Sequence, residues 1–531
     1  MSEDLRPAVG SALAEPVPAG PGDLQRQAAG GALWTMIHVV VAVPLAFAAN
    51  AVVARTLGVT DYGRLAVLGL ALSIATSVTN LGVSDGVIQW GAAAHSRADQ
   101  RTVDSLLRRS LGFHAFVQLP LLTIFVLLAT RDQSWLVRAA LLVSVAVPAM
   151  LGSSTLALTI ENRTAMSAKI AIVSNAVTQA AVAATAVVGR SPEAVWAARN
   201  TAGALLLPAN LLALTPSRRR AALTPQLPKG MPSGFWRFGL FSAAGGLLGM
   251  LVFSRSELLV LQGFGAVQAA GIFALAFGLA QQVTAPVDAL LGPLQPAVAG
   301  VVESHPDRAK ETLMRTTRVS SLLCGGVAVI ALPLLFGLVP LIYGRSFEPA
   351  AAVFLALGLI SCFRSAVNPL MTFTRARKRA GALLGINAAA LAVDLVVAVV
   401  CIPTVGLWGA VVANTAGQAA ALGMLVRYEC RAWDIGTARY LAAMSPLFLS
   451  AAAAPLGPVL LALGAPAAVS ALGGVGAIVL VVALIRVTGQ RVPMDDLRPA
   501  VAALPRVLRK PVTAALRAVA TDPSECRGVS A

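Results

Sequence analysis

Long apolar runs separated by short polar segments extend through almost the whole chain. The apolar residues are continuous rather than alternating, which is typical of segments that cross a bilayer. A bilayer core about 30 Å thick needs about 20 apolar helical residues. Runs of that length lie near residues 30–54, 65–90, 110–130, 135–158, 170–189, 195–214, 238–262, 266–290, 319–343, 349–373, 380–402, 405–426, 440–463 and 465–485. The pattern predicts an all-α polytopic membrane protein with about 14 transmembrane helices, and close pairs around Pro403 and Gly464 leave twelve or thirteen open.

The composition supports this prediction. Hydrophobic residues make up 57% of the 531 residues, and charged residues only 12%. A soluble globular protein carries about 25% charged residues, so about half of the usual charge is missing. A water-exposed surface for a protein of this size could not be built, which excludes the soluble globular class.

Basic residues are distributed unevenly between alternate connections. With the N-terminus inside, 32 Lys and Arg residues fall in inside segments and seven in outside segments. Short loops rich in Lys and Arg stay on the cytoplasmic side. We therefore expect a multi-pass protein of the cell (cytoplasmic) membrane with both termini in the cytoplasm. The net charge of +17 is then explained by basic loops on the cytoplasmic side of the membrane. Nucleic acid, which such a charge would suggest for a soluble protein, is therefore not a predicted partner.

The two halves of the chain repeat each other's turn signals. Residues 57–63 contain two glycines followed by an apolar helix, and residues 264–273 do the same. In each half an Asn follows an Arg by twelve residues, the pairs being Arg163 with Asn175 and Arg375 with Asn387. Matches in the same order predict a six-plus-six parallel repeat.

The predicted organisation has six parts. They are a cytoplasmic N-terminal tail (1–29), a first six-helix bundle (30–214), a basic cytoplasmic linker (215–237), a second six-helix bundle (238–426), two additional transmembrane helices (427–487) and a basic cytoplasmic tail (488–531). Apolar residues recur at helical spacing in the last part, which predicts amphipathic pieces on the anionic inner leaflet. Its prolines leave a solvated, disordered tail as the alternative.

Three stretches carry a resemblance to a known family. They are residues 54–63 with 80–83, residues 341–347, and the turn at 402–410 after Asn387, which reads P-x-x-G-x-x-G-A from Pro403. Through them the chain resembles, over roughly residues 25–487, the Wzx-type polysaccharide flippases of the multidrug/oligosaccharidyl-lipid/polysaccharide (MOP) exporter superfamily. The resemblance implies two bundles around a central cavity and alternating access for a lipid-linked sugar.

The last of these turns also has a direct physical interpretation. Pro403 has no N–H group to donate and is expected to end helix eleven. Gly406 and Gly409 would allow a tight turn and a close approach of helix twelve.

No motif predicts catalysis, a cofactor or a metal site. The sequence has no Walker A motif, its four histidines are scattered, and its five cysteines form no CxxC pair. The predicted outside loops are too short for a catalytic domain. We therefore expect that the protein is not an enzyme and uses no cofactor.

Ionisable residues inside transmembrane runs are costly and usually face a cavity or a partner. Arg364 on helix ten and Asp394 on helix eleven differ in depth by only about 4–5 Å, at about 1.5 Å rise per residue. We predict that they pair. The pair would be either a clamp between helices or a cavity charge that contacts an anionic substrate or exchanges a proton.

Helix seven contains two further charges, Arg255 and Glu257. They lie about 200° apart around the helix, so at least one should point into the bundle. A guanidinium matches phosphate oxygens bidentately, which makes Arg255 the leading candidate for a substrate pyrophosphate. Snorkelling to the headgroups is the alternative. Glu257 is a second candidate for substrate binding.

Five other residues complete the candidates. Asp85 and Asp288 occupy comparable positions near the predicted inner face and are candidates for ion coupling, with helix capping as the alternative. His38, Asn50 and Asn80 are candidates for the cavity wall, although a polar residue within a span is more often a link between helices.

The sequence and the resemblance together predict a flippase for a polyprenyl-pyrophosphate-linked oligosaccharide in surface polysaccharide synthesis. Its expected partners are the lipid-linked oligosaccharide, the bilayer, and glycan polymerase and glycosyltransferases. A lipid II flippase of the MurJ type and a drug/cation antiporter remain alternatives within the superfamily. A membrane glycan polymerase or an assembly scaffold is the alternative of another class.

Overall fold

A computed structural model describes residues 21–253, 256–291, 306–377 and 379–488, with isolated positions beyond 491. In the first half the helices are α1 (Pro21–Asn80), α2 (Val83–Ser96), α3 (Gln100–Phe113), α4 (Leu119–Ala129), α5 (Trp135–Ile160), α6 (Thr164–Gly189), α7 (Pro192–Leu205), α8 (Pro208–Leu212) and α9 (Pro216–Leu223). A π-helical segment, His114–Gln118, joins α3 to α4.

The second half continues the helical pattern. Its helices are α10 (Phe235–Phe253), α11 (Ser256–Gly263), α12 (Val267–Leu291), α13 (Pro306–Tyr343), α14 (Pro349–Ala376), α15 (Ala380–Val405), α16 (Leu407–Ala432), α17 (Thr437–Ala443), α18 (Ser445–Ala453), α19 (Leu456–Ala462) and α20 (Ala467–Val487). A 3-10 turn, Arg345–Phe347, precedes α14. Two short parallel strands, β1 (Val492–Pro493) and β2 (Ala520–Thr521), pair beyond the last helix.

The predicted all-α membrane fold is confirmed. Within the described residues 12 helices are long and apolar enough to cross a membrane. The first of them holds two predicted spans, because Gly58 adopts non-helical torsion angles (φ 74°, ψ 178°) and kinks α1. The predicted run at 195–214 is divided into α7 and α8, so neither piece reaches spanning length alone. Counting α1 as two spans, and α7 with α8 as one further span, raises the 12 helices to 14 spans.

The predicted role of Pro403 is wrong. Pro403 lies inside α15, which continues to Val405 and ends where Gly406 adopts φ 58°. A proline so close to the helix end removes one hydrogen bond without breaking the helix. The predicted roles of the glycines are confirmed, because a Cβ built on Gly409 would lie 2.3 Å from the Cys401 carbonyl oxygen.

The two halves contact each other at both ends. "Outer" and "inner" here follow the predicted orientation. At the outer end, a Cβ built on Gly271 of α12 would lie 2.0 Å from the Val59 carbonyl oxygen of α1. Arg55 donates there to the carbonyl oxygens of Ile342 (2.7 Å) and Leu341 (2.5 Å) at the end of α13. The two matching hairpins of the repeat therefore meet each other.

At the inner end, the break between α1 and α2 packs against α10. A Cβ built on Gly82 would lie 1.9 Å from the Gly239 carbonyl oxygen, so the two backbones touch. Ser242 of α10 also donates a 2.5 Å hydrogen bond to Asp85 of α2.

The connection between the halves is attached to the first half. Arg218 of α9 is buried and pairs with Asp104 of α3 and with Glu161 at the end of α5. At the other end of the chain, α18 and α20 pack on α13, with Leu322 and Val329 beneath Val481. The N-terminal 20 residues and most of the predicted amphipathic tail lie outside the described residues, so their predictions stay predictions.

Candidate functional site

Two carboxyl groups lie side by side inside the second half. Asp394 of α15 and Glu257 of α11 are both fully buried, and Glu257 lies next to Asp394 and to Asn414 of α16. The Ser256 hydroxyl donates a 2.6 Å hydrogen bond to Asp394 Oδ2. Three helices therefore bring their polar side chains to one point, which we call the carboxyl cluster (Ser256, Glu257, Asp394, Asn414 and Gln418).

A glycine allows this convergence. A Cβ built on Gly417 of α16 would lie only 2.7 Å from the Asp394 Cβ, so the absence of a side chain lets α16 approach α15 at the depth of Asp394. On the next turn, Gln418 donates to Asn414 Oδ1 at 2.7 Å.

The carboxyl cluster contains polar atoms without partners. By distance and angle, no described residue donates a well-formed hydrogen bond to either oxygen of Glu257, to Asp394 Oδ1 or to Gln418 Oε1, and the groups beside Glu257 are Asp394 and Asn414. Ion pairs within that part of the chain also leave Glu257 and Asp394 without an Arg or Lys. Burying such groups is costly unless a proton or a cation neutralises them. The cluster is therefore chemically suited to hold a proton or a small cation with oxygen ligands.

The predicted pair of Arg364 with Asp394 is wrong. Arg364 Nη2 instead lies 3.7 Å from Asp288 Oδ2. The depth estimate placed both residues near the same level, but α14 packs along α12 and touches α15 at only a few positions. The consecutive helices α14 and α15 are therefore not close neighbours in space, and Asp394 faces α11 and α16 instead.

The other candidates are distributed over the molecule. Asp85 accepts from Ser242 at the inner contact, Asn50 accepts from Arg199 at 3.4 Å, and His38 is half-buried on α1. Asn80 exchanges hydrogen bonds with Ser84 across the break after α1. Arg255 lies outside the described residues. Of the candidates, the structure brings together Glu257 with Asp394, and Arg364 with Asp288.

A polar cavity of about 550 Å³ opens within the first half. Its walls come from α1 beyond the kink, α2, the π-helical segment, α4, α5 and α7, and they include Asn80, His114, Gln118 and Asn200. In the sequence His114 is one of four scattered histidines, and no motif marks Gln118. The available signal was two polar side chains four residues apart within one apolar run.

Within the part of the chain that the structure describes, no group of three or more His, Cys, Asp or Glu is placed to hold a metal ion.

Comparisons with known proteins agree with this architecture. The family described as "Polysaccharide biosynthesis protein" matches residues 52–352, more than half of the chain. The chain belongs to this polysaccharide biosynthesis family. No curated protein matches it at a significant level.

Solved structures show the fold of this polysaccharide biosynthesis protein. The lipid II flippase MurJ in an inward closed conformation is similar, with a TM-score of 0.57 at 10% identity, covering 86% of this chain and 99% of MurJ. A eukaryotic MATE transporter, AtDTX14, reaches 0.51 at 14% identity, covering 78% and 100%. The Vibrio cholerae MATE transporter VcmN reaches 0.50 at 15% identity, covering 79% and 99%. The family match and the shared fold agree with the resemblance to the MOP superfamily.

Proposed function

We propose that the protein is a flippase that carries a polyprenyl-pyrophosphate-linked oligosaccharide across the cytoplasmic membrane for surface polysaccharide synthesis. The observation that carries the proposal is the cavity in the membrane-spanning part of the first half, whose wall includes polar side chains such as Asn80, His114 and Gln118. A bilayer offers no partner for polar groups, so intramembrane polar side chains mark a path for a polar cargo. Membership of the polysaccharide biosynthesis family supports a glycan as that cargo.

The contacts between the halves support alternating access as the transport mechanism. Glycine-to-backbone contacts close the outer end at Gly271 and the inner end at Gly82. The first half has a packed core around Trp196, and the large core of the second half also takes in Ala54, Val59 and Leu70 of α1. Separation at one end while the other stays closed would expose the cavity to one side at a time. The two bundles, with α18–α20 attached to the second, are the moving parts in this proposal.

The anionic pyrophosphate needs a cation. Arg364 keeps about a quarter of its side chain accessible beside Asp288, and a guanidinium can bind phosphate oxygens bidentately. Arg255, the leading candidate from the sequence, stays a proposed phosphate ligand. We further propose that the carboxyl cluster couples transport to a proton or monovalent cation, because its unpartnered oxygens are buried together. This replaces Asp85 and Asp288 as the proposed coupling groups, since Asp85 is exposed and Asp288 is paired with Arg364.

Complementation tests the proposal. The full chain is expressed in a host that lacks its own polysaccharide flippase but retains the glycosyltransferases and the polymerase, and surface glycan is measured. Restoration is the expected result. Restoration of peptidoglycan synthesis in a host lacking MurJ, without surface glycan, would favour the lipid II alternative. Drug resistance alone would favour the antiporter. Glycan polymerised without translocation would favour the enzyme or scaffold.

A further inference from the structure

We propose that the cavity of the first half is a binding site for uncharged sugar residues, in which His114 accepts a hydrogen bond from a sugar hydroxyl. The inference rests on the proposed function and names the part of the substrate that this cavity takes. It begins from His114, which is 6% exposed and lines the cavity.

Local sequence explains why His114 stands at this wall. Pro120 has no N–H to donate to the carbonyl of Phe116, and this missing bond favours a shift from α-helical to π-helical bonding. Leu119 accordingly donates to the His114 carbonyl, five residues back. Single π-helical turns occur frequently at functional sites. Here the turn places both His114 and Gln118 on the cavity wall.

Hydrogen bonds around Gln118 fix the orientation of its amide. Gln118 Nε2 lies 3.3 Å from the Thr76 carbonyl oxygen and 3.4 Å from Thr79 Oγ1. A carbonyl oxygen only accepts, so the amide nitrogen must face Thr76 and the amide oxygen must face His114. The distance from Gln118 Oε1 to His114 Nδ1 is 2.5 Å.

The tautomer of His114 follows from this orientation. Because the Gln118 oxygen only accepts, Nδ1 of His114 carries the proton and donates it to that bond. In the neutral ring Nε2 is then an acceptor. The hydrogen bond found for the His114 side chain among the described residues is the one at Nδ1, so Nε2 is an unused acceptor on a residue that lines the cavity. A sugar hydroxyl can donate to it.

The rest of the cavity wall has no charged side chain and therefore favours an uncharged ligand. None of the described lining residues is an Asp, Glu, Lys or Arg, and the polar ones are Ser, Thr, Asn, Gln and His. A buried carboxylate or phosphate would lack a countercharge there and would be costly. The volume lies within the ~300–1,000 Å³ typical of small-molecule sites. The cavity therefore fits neutral sugar units and leaves the pyrophosphate to the arginines of the second half.

The test measures binding and transport separately. Saturation-transfer NMR is recorded on the full chain in lipid nanodiscs with methyl glucoside, methyl galactoside, methyl mannoside and methyl rhamnoside, and with methyl glucuronide as the charged comparison. We expect at least one neutral glycoside to bind more strongly than the glucuronide. His114→Phe should weaken that binding about five- to tenfold, the value of one lost hydrogen bond, and His114→Gln, which keeps an acceptor, should retain more of it. His95→Phe is the matched control outside the cavity.

A second variant does not disturb the histidine network. Gly152 lines the cavity, and a Cβ built on it meets nothing within 4 Å, so Gly152→Leu fills the cavity without a clash. It should abolish glycoside binding, whereas Gly476→Leu, also free of contacts within 4 Å, should not. Normal binding in both His114→Phe and Gly152→Leu would overturn the inference.

Complementation separates the inference from the proposed function. Surface glycan restored equally by wild type, His114→Phe and Gly152→Leu would overturn the sugar site while the flippase stands. If wild type binds glycosides and both variants lose that binding, the sugar site is supported. This holds even if wild type moves no glycan, in which case only the proposed flippase function fails.

Discussion

Arg364 Nη2 lies 3.7 Å from Asp288 Oδ2, and this ion pair joins α14 to α12. Both side chains are more than half buried, so removal of one partner leaves a poorly solvated charge. Arg364→Gln and Asp288→Asn should each lower the free energy of unfolding by about 1–3 kcal/mol, and the double variant should recover part of that loss. A double-mutant cycle of thermal unfolding in detergent measures the coupling.

The same cycle with Asp394 is the control. Because Arg364 does not pair with Asp394, Arg364→Gln and Asp394→Asn should have additive effects. Coupling in that cycle and additivity in the first would contradict the observed pairing.

Glu257 and Asp394 provide a prediction about coupling. Glu257→Gln and Asp394→Asn remove the negative charges that a proton or cation would neutralise. Each variant should fold, and lipid-linked glycan transport in proteoliposomes should lose its dependence on a sodium or proton gradient. Glu311→Gln, an exposed carboxylate on α13, is the control and should keep it. Unchanged gradient dependence in the Glu257→Gln/Asp394→Asn double variant would remove the carboxyl cluster from the coupling mechanism.

Gly82 tests the inner contact between the halves. It adopts φ 71°, and a built Cβ overlaps the Gly239 carbonyl, so Gly82→Ala adds backbone strain and overpacking worth about 1–3 kcal/mol. Lower thermal stability and slower transport are expected together. Gly246→Ala within α10, where a Cβ meets nothing within 4 Å, should be neutral or slightly stabilising. Equal behaviour of the two variants would show that the inner contact does not exist in the membrane.

Arg255 separates transport from folding. If it binds pyrophosphate, Arg255→Lys keeps the charge but loses the planar fork, so transport should fall while the amount of protein stays normal. Arg255→Gln should fall further, because a charge-assisted hydrogen bond is stronger than a neutral one. Surface glycan and membrane-protein amount are measured in parallel. If Arg255 only reaches the lipid headgroups, Lys should serve equally well.

Sequence alone determined the membrane fold and its approximate number of spans. Both follow from the length and continuity of apolar runs, a one-dimensional property that the bilayer thickness imposes. The sequence also located the turns. The backbone bends at Gly58 and Gly406, and at Gly409 it closely approaches the preceding helix. These requirements act within a few residues of each glycine, so they are visible in the local sequence.

Only the tertiary structure decided which intramembrane groups meet. Depth along a helix can be counted from the nearest turn, and it placed Arg364 and Asp394 at similar levels, yet the partner of Arg364 is Asp288. Lateral neighbours depend on how helices distant in sequence pack, and α14 packs on α12 rather than along α15. The same reason hid the carboxyl cluster, assembled from α11, α15 and α16, and the cavity around His114. Each is a point where helices converge, and helical periodicity contains no information about that convergence.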